Sequence, residues 1–252
     1  MLDFIILPFT NALVFIYSLL GENFGLAIIV FTLLVRVVTY PFNAQQMKSA
    51  KAMQELQGNP KWKAMQQKYK GKEHREKLAQ EQMKLYKELG INPLAGCLPT
   101  IIQIPLLIAM YWAITRALAS TPLQLLDLTR GISLDNAANL IPLNSQFLWM
   151  DLGQPERLII PGIPFGIPVL AILVMISSYF QTKMMTPANP NDQGAQMNRM
   201  MSLYMPLLMA YISYIYAAGL ALYFVTSNVL SIAQYYISRR PKAATAVIPP
   251  AK

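Results

Sequence analysis

Charge is scarce in this chain: only 13% of its 252 residues are charged, while 54% are hydrophobic. An ordinary soluble domain carries about 25% charged residues, so the deficit excludes a conventional water-soluble globule and points to lipid. Cysteine is almost absent. Cys97 alone permits no intramolecular disulfide and makes no zinc site. His74 is the single histidine, in a Lys/Glu-rich stretch where a solvated role is expected. The first 22 residues contain no Lys or Arg and carry Asp3 instead, which argues against a signal peptide with a basic leading region. There is no Walker loop, no metal-ligand spacing and no nucleophile–base pair. The sequence therefore carries no sign of an enzyme, a cofactor or a metal.

The net charge of +9 raises nucleic acid as a partner, but the distribution of the 21 basic residues points elsewhere, and no direct DNA binding is expected. Eleven of them lie between Pro41 and Cys97, among them Lys48, Lys51, Lys61, Lys68, Arg75 and Lys84, and four more follow the last apolar segment. By contrast, residues 119–160 hold two basic residues, Arg130 and Arg157, against four acidic ones. That asymmetry is the positive-inside pattern of a multi-pass membrane protein.

Five apolar spans are expected, at about 24–42, 98–118, 163–185, 200–217 and 220–238. The first ends or bends at Pro41, which has no backbone N–H to continue a helix. Residues 1–22 are expected to form an interfacial helix outside the membrane, with a sixth span as the alternative. Residues 43–90 switch to Gln, Lys, Glu, Met and Ala, with apolar stripes at helical spacing: Met47, Ala50, Met53 and Leu56; then Trp62, Met65 and Tyr69; then Leu78, Met83, Leu85, Tyr86 and Leu89. With Gly71 as the turn and Gly58, Asn59 and Pro60 interrupting the first arm, this predicts a basic amphipathic helical hairpin in the cytoplasm. Residues 120–161 predict an extracytoplasmic loop with short helices, 217–219 a tight reversal, and 241–252 a cytoplasmic tail of low order. Five spans place the N-terminus outside and the C-terminus inside.

Arg36 is the one charge within the first span. It lies five residues before Pro41, so two readings stand side by side: snorkelling toward the headgroups, or a functional charge facing the bundle. The second gains from polar company at membrane depth. Thr32 lies one turn before Arg36, Gln103 falls in the second span, Ser177, Ser178 and Gln181 in the third, and Ser227, Asn228, Ser231 and Gln234 in the fifth. Each alone serves equally well as interhelical glue. Together they are expected to line one wet cavity. No Asp or Glu falls within any span, which makes Arg36 a poor proton relay and a good attractor for an acidic segment.

The runs TLLVRVVTYPFNAQQMKSAKAMQELQ (32–57), LYKELGINPLAGCLPTIIQIPLLIAMYWAI (85–114) and GLALYFVTSNVLSIAQYY (219–236) resemble the YidC family of membrane protein insertases. The resemblance covers about 24–239 in the same order and spacing. It implies an all-α membrane protein with five transmembrane helices around a hydrophilic groove that opens to the cytoplasm and the lipid and is closed to the outside. Residues 23–240 would form that insertase core, with the cytoplasmic hairpin and the N-terminal interfacial helix attached. Arg36 matches the family's groove arginine, Thr32 and Gln103 match groove or adjacent positions, and Asn228 lies in its Ser-Asn motif. The implied partners are nascent membrane-protein clients, the ribosome, the Sec translocon and the lipid bilayer, with the bacterial plasma membrane as location. Two departures stand out. The chain lacks the large periplasmic domain of Gram-negative members, as if of the compact type, and its basic tail after Tyr236 is short, which argues against strong autonomous ribosome docking. Two other classes stay open on the residues alone: a small-anion channel or transporter with Arg36 as its binding charge, and a membrane chaperone or assembly factor without translocation activity.

Overall fold

The chain doubles back at once. In the computed structural model, which describes residues 3–69, 75–88, 98–118, 126, 128, 142–159, 166–185 and 195–238, helix α1 (Asp3–Leu19) is followed by a turn in which Gly21 and Glu22 take the left-handed conformation. Helix α2 (Phe24–Val38) then runs back along α1, started by Asn23, whose side chain accepts from the Leu26 amide. Tyr17 meets Phe24 with ring centroids 6.0 Å apart, and Phe9 meets Phe31 at 5.2 Å. The register is therefore antiparallel over about two turns.

α2 stops earlier than its sequence suggests. Thr39 ends it, and a new helix, α3 (Tyr40–Gly58), starts with Pro41 in its first turn. Proline fits the start of a helix, where its missing N–H has no ladder partner to lose, so the expected span 24–42 is a 15-residue helix followed by a change of axis. Asn59 then separates α3 from α4 (Pro60–Lys68) and caps it by accepting from the Lys61 amide at 2.9 Å. This is the interruption expected at 58–60. With α5 (Arg75–Glu88) the segment closes on a small apolar cluster of Ala52, Leu56, Trp62 and Leu85, flanked by Met65 and Tyr86. Met47 and Leu78 are also buried, whereas Met83, placed on a stripe by its spacing, is exposed. The turn expected at Gly71, residue Leu89 and the side chains of Ala50 and Met53 lie outside the described residues.

Helix α6 (Leu98–Ala117) packs on α1. Beyond it, the loop expected to be irregular with short helices contains a strand pair, β1 (Gln146–Phe147) with β2 (Met150–Asp151), antiparallel in the register Phe147↔Met150. The all-α expectation is corrected to that extent. A second short pairing, Leu158 with Ile167, holds the chain extended, and α7 (Val169–Met185) starts only after Pro168, six residues later than the expected span. Helix α8 (Ala195–Ile215) starts five residues earlier than expected, and Tyr216 and Ala217 reverse the chain into α9 (Ala218–Ser238). α7 packs between α8 and α9, α9 packs on α2, and α2 on α1.

One main core joins these helices. It gathers Leu13, Val14 and Tyr17 of α1, Phe24 to Phe31 of α2, Met110 to Ala117 of α6, Leu170 and Val174 of α7 and Ala218 to Phe224 of α9. All of these lie toward one end, where α2, α7 and α9 begin and α1 and α6 finish. Toward the other end burial thins. On α2 every residue from Leu33 to Val38 is partly or fully exposed, as is every described α9 position from Val229 onward. The helices are thus bolted together at the end bearing the strand pair and looser at the end bearing the basic hairpin.

By length and composition, one helix among the described residues, Ala218–Ile237, is apolar enough to cross a bilayer unaided. The other apolar stretches, such as Phe24–Val38, Ile104–Ala117 and Val169–Met184, are shorter. At about 1.5 Å per residue, the 15 residues of α2 reach about 22 Å, less than the roughly 30 Å hydrocarbon core.

Candidate functional site

Where the core thins, Arg36 turns inward. It stands in the last turn of α2, where a cation complements the helix dipole, and its side chain crosses to α9. Nη2 donates to the backbone oxygen of Ser227 at 3.0 Å and to the Ser227 hydroxyl. The guanidinium is therefore held by neutral oxygens of a neighbouring helix. Snorkelling, one of the two readings open for Arg36, would instead turn it away from the bundle.

Ser231, one turn further along α9, donates its hydroxyl proton to the same Ser227 carbonyl at 2.8 Å. That carbonyl thus accepts from two side chains on the bundle side of α9. Three residues on, Gln234 is partly buried, and its amide nitrogen is buried without a partner among the described residues. An unsatisfied buried amide donor costs about 1–3 kcal/mol, so this nitrogen marks a place where a polar visitor is welcome.

The remaining expected residues divide. Thr32 is buried, and its hydroxyl donates to the Ile28 carbonyl of its own helix at 2.6 Å. Asn228 turns to the other side of α9 and donates to Ser178 Oγ at 2.8 Å and Ser177 Oγ at 3.0 Å, tying α9 to α7. Gln181 is half-buried on α7, one turn beyond Ser178. The side chain of Gln103 lies outside the described residues. The polar positions therefore form two groups, Arg36 with Ser227 and Ser231 on one side of α9, and Asn228 with Ser177 and Ser178 on the other.

Of the hairpin cations, Lys48, Lys61, Lys68 and Lys84 are exposed and Lys51 is half-buried, while the Arg75 side chain lies outside the described residues. Lys84 pairs with Glu81 at 2.8 Å, and Lys68 lies over the Tyr69 ring at 5.6 Å. Such exposed pairs add little stability, and the lysines face water.

Two residues carry more structural weight than their spacing suggests. Ser227, one member of a polar run in the sequence, is the residue that receives the guanidinium; its signal was the four-residue step to Ser231, which puts both on one face. Glu156, read only as one of the loop's acids, is buried at 6% exposure. Its carboxylate accepts from the Leu170 amide in the first turn of α7 and from the Trp149 indole N–H, both at 3.1 Å. No periodicity in the loop announces it.

The sequence matches the 60Kd inner membrane protein family over residues 15–245. It is 36% identical over 230 residues to a protein of Oceanobacillus iheyensis named membrane protein insertase YidC, covering 89% of this chain and 77% of that one. A Bacillus anthracis protein named membrane protein insertase YidC 2 is also 36% identical, over 242 residues, 95% of this chain and 81% of that one. Among solved structures, an active YidC insertase with its first transmembrane domain resolved superposes with a TM-score of 0.60, covering 95% of this chain and 46% of that one, and at 24% identity this likeness bears on the fold alone. An inward-held arginine in a helical bundle, a basic hairpin beside it and a match across nearly the whole chain converge on one conclusion: the chain belongs to the 60Kd inner membrane protein family, that of the YidC membrane protein insertases.

Proposed function

We propose that this membrane protein insertase works through a polar slot between α2 and α9, in which the Arg36 guanidinium attracts the acidic or polar segment of a nascent client that must cross the membrane. The observation that carries the reading is the inward hydrogen bonding of Arg36 to Ser227. A client's difficulty is moving a polar end through hydrocarbon. A slot reaching partway into the bilayer shortens the dry path, and short helices such as α2 shorten it further by thinning the membrane locally. The client's apolar segment then leaves sideways into lipid, driven by its own burial.

The thinning of the core toward the Arg36 end supports a slot open on the hairpin side and closed on the other. The slot's lining comprises Arg36, Ser227, Ser231 and Gln234, with Thr32 one turn before Arg36 on α2, and Asn228 fixes α9 against α7. Five membrane helices, α2 and α6 to α9, surround it, with α1 packed antiparallel along α2, the N-terminus outside and the C-terminus in the cytoplasm of a bacterial plasma membrane. The exposed lysines of α3 to α5 suit a surface that receives a client from the ribosome, alone or beside the Sec translocon.

The decisive experiment is insertion of a single-span client with an acidic translocated tail into proteoliposomes, read by protease protection of the tail. Arg36→Ala is expected to reduce insertion severalfold and most for the most acidic tails, while Arg36→Lys retains most activity. Equal insertion by Arg36→Ala and wild type across such clients contradicts the role. No observation favours the small-anion channel, and a membrane chaperone without translocation activity predicts no protected tail at all.

A further inference from the structure

The extracytoplasmic strand pair has a bolted base and an apolar tip. At its base, the Ala218 amide donates to Gln154 O at 2.7 Å and the Gly219 amide to Leu152 O at 2.9 Å, while Glu156 holds the start of α7. The Asn144 amide donates to the Tyr17 hydroxyl of α1 at 2.9 Å. Phe147 packs against Gly25 in the first turn of α2, where a Cβ would overlap its ring. The tip between the strands is then Leu148 and Trp149, which are 74% and 50% exposed, with Leu148 in the left-handed conformation at φ 56°. Ile159, past Arg157, is 79% exposed.

These residues sit level with the outer ends of apolar helices. Phe147 fixes the tip to the first turn of α2, whose Leu26 is exposed and starts the outward stripe continued by Leu33 and Val37. The Trp149 indole N–H is engaged by Glu156, which holds the ring's polar edge toward the protein. Next to Ile159, the Arg157 guanidinium lies 5.5 Å from the ring centre of Tyr214 near the outer end of α8. Tryptophan, tyrosine and arginine at the ends of apolar helices are the residue types of the headgroup level.

We infer that the Leu148–Trp149 tip and Ile159 insert into the outer leaflet of the lipid bilayer, anchoring the strand pair at the headgroup–acyl boundary. The occupant is lipid because the tip is fixed at the first turn of α2, the level where the exposed apolar stripe of that helix begins. An aqueous tip would expose three large apolar side chains to water with no compensating contact among the described residues.

A variant retaining only Trp149 (Trp62→Phe, Trp112→Phe), reconstituted in proteoliposomes of phosphatidylcholine and phosphatidylglycerol brominated on the upper acyl chain, tests this. Its emission is expected to fall below that in unbrominated vesicles, as for an indole at the boundary. Aqueous iodide should quench it weakly. Should the double substitution fail to fold, a nitroxide on Leu148→Cys in a Cys97→Ser background reads the same environment by collision, with oxygen expected to outcompete a water-soluble nickel complex. Strong iodide or nickel access without bromolipid quenching overturns the inference. So does protection that appears only when a client or translocon is added, which would make a protein the occupant.

Discussion

A guanidinium at membrane depth costs about 2.5–3.5 kcal/mol unless the protein or water solvates it, and Arg36 donates to the neutral oxygens of Ser227. Such partners hold the side chain without neutralising its charge, which leaves the field of the cation available to an incoming carboxylate. Asn228 differs in kind: both of its donor bonds lie within the protein, between α9 and α7. Removing it should therefore weaken the fold more than the transport. Asn228→Ala is expected to lower stability by about 0.6–1.7 kcal/mol, the range for interhelical hydrogen bonds in lipid, with insertion of an acidic-tailed client largely retained. Thermal unfolding in detergent, set beside the insertion assay, checks both halves. Arg36 was legible in the sequence because a charge in an apolar run is conspicuous. Which of Ser227, Asn228 and Ser231 would meet it was not, because neighbouring helical positions point about 100° apart and only the rotation of α9 against α2 decides.

At the scale of elements, close approach of helices depends on residues without bulk. A Cβ on Gly219 would lie 2.9 Å from Ile114 and 3.1 Å from the Leu152 carbonyl, at the joint of α9, α6 and the loop that carries the strand pair. Gly219→Val is expected to destabilise by about 1–3 kcal/mol through overpacking, again read by thermal unfolding, while the same change at Gly21 is unfavourable for its positive φ with no contact nearby. The helices themselves were largely legible: apolar runs fixed their order, and Asn59 and Pro60 their punctuation. The errors cluster at ends. The break expected at Pro41 comes at Thr39, with Pro41 in the first turn of α3, and Ile167, apolar and next to a proline, is a bridge partner of Leu158, not a helical residue. Two-residue strands carry too little periodicity to be read, and the strand pair was invisible for that reason.

For the whole molecule, charge and packing are distributed in the same sense. Eleven basic residues crowd the segment between Pro41 and Cys97, while the buried core gathers at the opposite end. A bundle tied at one end and loose at the other admits a guest at the loose end without dissolving its core. The proposed topology follows: single cysteines in a Cys97→Ser background, introduced as Lys61→Cys in the hairpin and Gln154→Cys in the loop, should react with an impermeant maleimide from opposite faces of an oriented membrane. Labelling of both from one face would refute that arrangement.

An insertase working through Arg36 requires the space beside Arg36 and Ser231 to be wet. Ser231→Cys in the same Cys97→Ser background, treated with the impermeant maleimide from the hairpin side, measures that wetness. Modification is expected at a rate well above that of a lipid-facing control such as Leu33→Cys, with protection when an acidic-tailed client is stalled in the slot. A thiol at position 231 as inert as the lipid-facing control, with or without client, would show dry packing there and contradict the polar slot.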